Sequence, residues 1–221
     1  MSYPIKYPTP QGANIQIFNA GETNGTQTWV KPQGASFVWF TLIGAGGGGD
    51  ATTSGGGSGA VTNCMVPAFL IPDSLQVEVG GSYPGTAGNL SAVKYVSSNT
   101  YSLLVANGGG YSGVAGAAST SNYFSCMGLF QSVAGQPGSS GAGLAATTTF
   151  LSGGAASTNS ANYGYTTGTT GNGFFQTQPI IVGVGGASGS DNKSAGIGCG
   201  GAYGSSTGGA GGDGLVVIIT W

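Results

Sequence analysis

Three short patterns in this chain carry residue types that do chemistry elsewhere. Gly44-Ala-Gly-Gly-Gly-Gly49 follows an apolar run and fits the Gly-x-Gly-x-x-Gly spacing of a dinucleotide site. That site depends on a helix opening at the loop, so that its N-terminus faces the pyrophosphate. Here the continuation is Asp-Ala-Thr-Thr-Ser-Gly-Gly-Gly, which does not nucleate a helix, so nucleotide binding is not expected. Ser91-Ala-Val-Lys94 and Ser190-Asp-Asn192 match two elements of the penicillin-recognising enzymes. The first requires Ser and Lys on one face of a helix. On a strand, residues three apart point to opposite faces, and no Lys-Thr-Gly follows. Both matches are read as chance.

The usual proton carriers are sparse. The chain has no His, and Asp50, Asp73, Asp191 and Asp213 stand singly, giving neither an acid pair nor an oxygen cage. Gly211-Gly-Asp-Gly is a fragment of a calcium-binding repeat but lacks the tandem copies that make such repeats bind. The chain is therefore not expected to be an enzyme, nor to carry a cofactor or metal. Four lysines (Lys6, Lys31, Lys94, Lys193) and no Arg leave no basic footprint for nucleic acid. No apolar run approaches the ~20 residues needed to cross a bilayer, and residues 1–13 lack the pattern of a secretion signal. Membrane insertion is not expected.

What remains is a recognition palette. Residues 119–179 mix Tyr, Ser, Gly and Asn, with Tyr123, Phe124, Tyr163, Tyr165, Phe174 and Phe175 as the aromatic candidates. Aromatics give rigid contact area, and small polar neighbours adapt to a surface. Two uses are open: contact with a receptor, or packing at a cap or subunit interface.

The elements that would position these loops are strands. At 221 residues with 47 Gly, 39% hydrophobic and 5% charged residues, the chain has enough apolar runs to fold and too little charge for a disordered tail. Phe37 to Ile43 is almost continuously apolar, so both its faces should be covered. Leu75-Gln-Val-Glu-Val79 alternates, with Leu75, Val77 and Val79 facing inward. Further strands are expected at Asn14 to Phe18, Thr28 to Lys31, Ala60 to Leu70, Ala92 to Val96 with Tyr101 to Ala106 as a hairpin, and Ile180 to Val184. Leu215 to Thr220 should lie mid-sheet beside Phe37 to Ile43. No window keeps helical periodicity, and interior Gly costs about 1 kcal/mol against Ala. Cys64, Cys126 and Cys199 are read as buried thiols, or as one pair and a spare.

Three glycine-rich stretches, near 44–59, 107–118 and 185–214, link apolar strands. Compact domains rarely tolerate such long flexible loops. Ordered, extended glycine chains of polyglycine II type are the alternative, packed closely because no Cβ separates them. The fold class expected is all-β: a β-sandwich or jelly-roll-like domain over 14–221 with ordered glycine-rich excursions. An extended Pro-rich arm over 1–13, held straight by Pro4, Pro8 and Pro10, should dock on a neighbour.

Trp29-Val-Lys-Pro-Gln-Gly-Ala-Ser-Phe-Val-Trp-Phe-Thr-Leu-Ile-Gly-Ala-Gly-Gly-Gly-Gly49 resembles the opening segment of glycine-rich domains in phage tail-fibre and adhesin proteins. Leu75-Gln-Val-Glu-Val-Gly-Gly81 is similar to their internal strand, and Gly208 to Trp221 to their closing strand. The resemblance implies a β-sandwich with a bundle of polyglycine II helices whose tip loops touch a host receptor. It implies a virion-surface or extracellular protein, homo-oligomeric as a trimer. Its expected partners are itself, a host surface glycan or protein, and other virion proteins. The alternative is a purely structural, self-assembling shell, decoration or filament subunit.

Overall fold

The structure, a computed structural model, describes residues 12–21, 25–50, 54–119, 129–138, 195–201 and 208–221. Most stretches of these residues that are apolar at alternate positions, or continuously, are extended. The strands are β1 (Asn14–Asn19), β2 (Gln27–Val30), β3 (Phe37–Ile43), β4 (Val61–Pro67), β5 (Ser74–Glu78), β6 (Ser91–Val96), β7 (Thr100–Ala106), β8 (Leu129–Val133) and β9 (Leu215–Thr220). The only helical pieces among the described residues are short 3-10 turns, such as Ala68–Leu70 and Tyr111–Gly113.

Two antiparallel sheets face each other as a sandwich. One runs β1-β9-β3-β4-β8 and the other β2-β5-β6-β7. The expected neighbour relation holds: β9 lies mid-sheet, with Trp39 opposite Ile219 and Ile43 opposite Leu215. Between the sheets, Val38, Phe40 and Leu42 of β3 meet Val216 and Ile218 of β9, Leu75 and Val77 of β5, and Val93 and Leu104. Trp29 packs edge-on against Phe40, centroids 6.1 Å apart. Burial at roughly 25 cal/mol per Å² of apolar surface makes this layer the main source of stability.

Several expectations need correction. Strand β4 stops at Pro67, and Ala68–Leu70 forms a 3-10 turn instead of continuing to Leu70. Proline cannot donate to the ladder, which ends the pairing there. Strand β8 was not foreseen. β3 has only one face fully covered: Val38, Phe40 and Leu42 are fully buried, whereas Trp39 and Thr41 on the other face are partly exposed. Ile180 to Val184 and residues 1–11 of the arm expected over 1–13 lie outside the described residues; Gly12, within that arm, stands in a 3-10 turn.

The described glycine-rich segments leave from one end of the sandwich, where Ile43 and Leu215 sit opposite each other and Ser91 opposite Ala106. Segment 44–50 runs through their centre, and its amides donate with a period of three. Gly44, Gly47 and Asp50 donate to Ala60, Gly57 and Ser54; Ala45 and Gly48 to Asn89 and Thr86; Gly46 and Gly49 to Gly212 and Gly209. These distances lie between 2.8 and 3.0 Å. Three residues per turn is the repeat of a left-handed extended helix without internal hydrogen bonds, and Gly110 has the matching φ of −78° and ψ of 156°. Segment 54–60 repeats the arrangement: Gly57 and Ala60 donate to Gly110 and Asn107, Gly56 and Gly59 to Gly201 and Gly198. Buried amides are thereby satisfied between segments, with no sheet ladder.

The close approach excludes side chains. A Cβ on Gly44 would sit 2.1 Å from the Asn107 carbonyl oxygen, and one on Gly47 2.1 Å from that of Gly110.

Candidate functional site

The bundle has a near end at the sandwich and a far end where its segments turn. Asp50 and Ser54 mark the far end, and the chain there is tied by side chains rather than by an apolar core. The Asp50 carboxylate is 5% exposed. It accepts from the Ser54 amide at 2.9 Å, the Ser54 hydroxyl at 3.3 Å and the Ser112 hydroxyl at 2.7 Å. Three donors offset the desolvation of a buried charge. Ser112 meets the carboxylate by adopting a left-handed conformation, φ 57° and ψ 44°. That geometry costs a non-glycine residue about 1–2 kcal/mol.

Two tyrosines stand at this level of the bundle. Tyr83 lies in 81–85, where its carbonyl is 2.8 Å from the Cβ position of Gly48 and Gly85 turns at φ +66°. Tyr111 follows Gly110, beside Gly57. Their segments are adjacent, because the Gly88 amide donates to Gly109. Tyr83 is 48% and Tyr111 41% exposed, with the 63% exposed Val114 nearby in sequence. Below them, Ser82 donates its amide to Asp213 (2.9 Å) and its hydroxyl to the Gly46 carbonyl (2.7 Å), fixing the loop to the closing segment. The arrangement presents aromatic faces on a backbone-locked support.

None of the six aromatic candidates, Tyr123, Phe124, Tyr163, Tyr165, Phe174 and Phe175, lies within the described residues. The chain holding the last four leaves the described bundle at Gly138, whose amide donates to Gly113 at its far end, and returns at Ala195 beside Ala210. Sequence reasoning missed Tyr83 and Tyr111. The signal was present: each is a lone aromatic between glycines, in Gly81-Ser-Tyr-Pro-Gly85 and Gly110-Tyr-Ser-Gly113.

The motif residues are dispersed. Lys94 pairs with Glu78 on the outer face of the four-stranded sheet, while the Ser91 hydroxyl is buried and donates to the Ile43 carbonyl. Ser91 and Lys94 thus serve different faces, as strand geometry requires. Gly44 to Gly49 contacts other backbone throughout. Among the described residues, no three His, Cys, Asp or Glu side chains cluster as metal ligands. Cys64 and Cys199 are both buried, on opposite faces of the five-stranded sheet. Burial pushes the Cys64 thiol up to about 12, so it is uncharged at neutral pH and a poor nucleophile.

No curated protein matches the chain. A family model described as a glycine-rich domain matches residues 22–221, nearly all of the strands and every glycine segment, and the chain belongs to that glycine-rich domain family.

Proposed function

We propose that this protein is a virion-surface structural component, a small phage-type fibre or spike, whose far tip recognises a host-surface glycan or protein. In this reading it works outside the cell as a homo-oligomer, a trimer, alongside other virion proteins, and binds rather than catalyses.

The observation that carries the reading is the polarity of the domain. Asn14 lies opposite Thr220 in the sheet, so both chain ends of the described sandwich emerge at its base. The turns holding Tyr83 and Tyr111 open at the other end, across the length of a glycine bundle. Attachment at one end and exposed aromatics at the other suit a receptor-binding tip, and loops on a rigid scaffold are where recognition is commonly placed. The candidates Tyr163, Tyr165, Phe174 and Phe175 lie in sequence between Gly138 and Ala195, outside the described residues.

The test compares wild type with Tyr83→Ala and Tyr111→Ala on glycan arrays and on whole bacterial cells. We expect at least about a tenfold loss of binding with an unchanged melting temperature. Binding that survives both substitutions and removal of the four inserted aromatics would sink the recognition role.

A second reading, a self-assembling subunit without a receptor, draws on a different observation. The outer face of the five-stranded sheet is apolar: Ile15 and Ile17 are each 59% exposed.

A further inference from the structure

Charge is distributed unevenly between the sandwich and the tip. Lys31 pairs with Asp73 where β2 and β5 meet at the base, and Lys94 pairs with Glu78 on the outer face of the four-stranded sheet. Both described lysines thus belong to the sandwich. Toward the tip the sequence loses its charges. From Val79 to Val93, which holds Tyr83, there is no Asp, Glu, Lys or Arg, and the same is true from Tyr95 to Ser190, which holds Tyr111.

Two described carboxylates belong to the bundle. Asp50 is 5% exposed and accepts from Ser54 and Ser112, so its charge is directed inward. Asp213 is exposed beside the tyrosine loop, where it accepts from the Ser82 amide. The exposed charge next to this loop is therefore negative. An anionic ligand would be repelled by Asp213 and would give up water without gaining a counter-charge, which is costly.

What the tip offers is stacking area bordered by neutral hydrogen-bonding groups. Tyr83 and Tyr111 are 48% and 41% exposed, and a phenol ring joins an apolar face to a polar edge. The exposed Thr86 donates its hydroxyl to the Tyr83 carbonyl at 3.2 Å, which leaves its oxygen able to accept. The loops are held in place, because the Gly48 amide donates to Thr86 and the Gly88 amide to Gly109. Little ordering entropy then opposes a ligand. A sugar ring matches such a surface: one face presents C–H bonds to the negative face of an aromatic ring, and its rim presents hydroxyl groups.

A protein receptor would require more surface. A stable protein interface takes about 800 Å² and roughly 20–30 residues from each partner. Among the described residues, the large apolar side chains exposed at this level of the bundle are Tyr83, Tyr111 and Val114. That area suits one or two sugar rings.

We propose that the far tip binds an uncharged saccharide, with its rings stacked on Tyr83 and Tyr111 and its hydroxyl groups bonded to the neutral groups beside them. The inference rests on the receptor-binding reading above and names its ligand class.

The experiment applies the full chain, fluorescently labelled, to an array of neutral oligosaccharides built from hexose and N-acetylhexosamine units. Each is paired with the same chain bearing sialic acid, uronate or phosphate. Neutral members should bind, and their acidic counterparts at least about tenfold more weakly. Affinity for the best-bound neutral member should change less than about twofold between about 50 and about 500 mM sodium chloride, because no ion pair is there to be screened. The double variant Tyr83→Ala/Tyr111→Ala, with folding verified by circular dichroism, should lose at least about tenfold. On bacterial cells, periodate, which cleaves the vicinal diols of sugars, should abolish binding, and proteinase treatment should not. A preference for acidic members, a steep fall with salt, or cell binding that survives periodate but not proteinase overturns the inference while leaving a receptor-binding tip intact. Saccharide binding unchanged in the double variant overturns the assignment to the tyrosines. A wild type that binds neither array nor cells overturns both readings.

Discussion

A methyl group on Gly46 has no room: its position is 1.8 Å from the Cys199 carbonyl oxygen and 2.4 Å from the carbonyl carbon. No rotamer relieves a clash between backbone atoms, so two segments must separate and drop their hydrogen bonds. Gly46→Ala should destabilise the fold by about 3 kcal/mol or more, whereas Gly21→Ala, with nothing within 4 Å, should stay within about 0.5 kcal/mol of wild type. Chemical denaturation of both variants checks this, and equal stabilities would refute the packed bundle. Ser112 tests the far-end knot. Ser112→Ala loses the bond to Asp50 but keeps the left-handed strain, at a cost of about 1.5–3 kcal/mol. Ser112→Gly loses the same bond and recovers about 1 kcal/mol of strain, so it should be the milder change in a melting experiment. The reverse order would mean that the left-handed geometry at Ser112 carries little strain, and a wild-type melt for both would mean that the knot contributes little. Which glycines are packed was not legible from the sequence, since Gly21 and Gly46 look alike there and differ only in what lies beside them.

At the scale of elements, the bundle has a phase. Donors return to the same neighbour every third residue, so one extra residue turns everything beyond it by a third of a turn. A glycine inserted between Gly46 and Gly47 would misdirect the amides now bonded to Gly57, Thr86, Gly209 and Ser54. Each orphaned buried amide costs about 1–3 kcal/mol, and the variant should show no cooperative thermal transition. A wild-type-like melt would mean that the segments accept any register. The strands were more legible than the segments. Continuous or alternating apolar side chains marked β3, β5 and β9 because burial selects those patterns. Leu-Phe-Gln-Ser-Val of β8 is short and half polar, and among its described side chains only Phe130 packs against the inner core, so no periodicity announced it. The 3-10 turn after β4 escaped notice because Phe69 and Leu70 read as strand residues while standing exposed.

At the scale of the molecule, the sandwich is a base and the bundle a mast, and the functional proposals divide between them. Under those proposals the tip tyrosines would carry binding and the outer apolar face assembly, so substitutions at one end should leave the other property unchanged. The sandwich class was accessible from apolar runs. The placement of Tyr83 and Tyr111 at one end was not, because it depends on the direction in which the glycine segments leave the sheets. The position of β9 has a further consequence. It threads between β1 and β3, so the five-stranded sheet is bridged by the segment farthest from them along the chain. During synthesis on the ribosome, β1 and β3 have no partner in common until residues 215–220 have emerged. Until then β1 lacks its place in the sheet, and Ile15 has no Ile219 to lie beside. Closure of the five-stranded sheet is thus a late event of synthesis, timed by the emergence of β9.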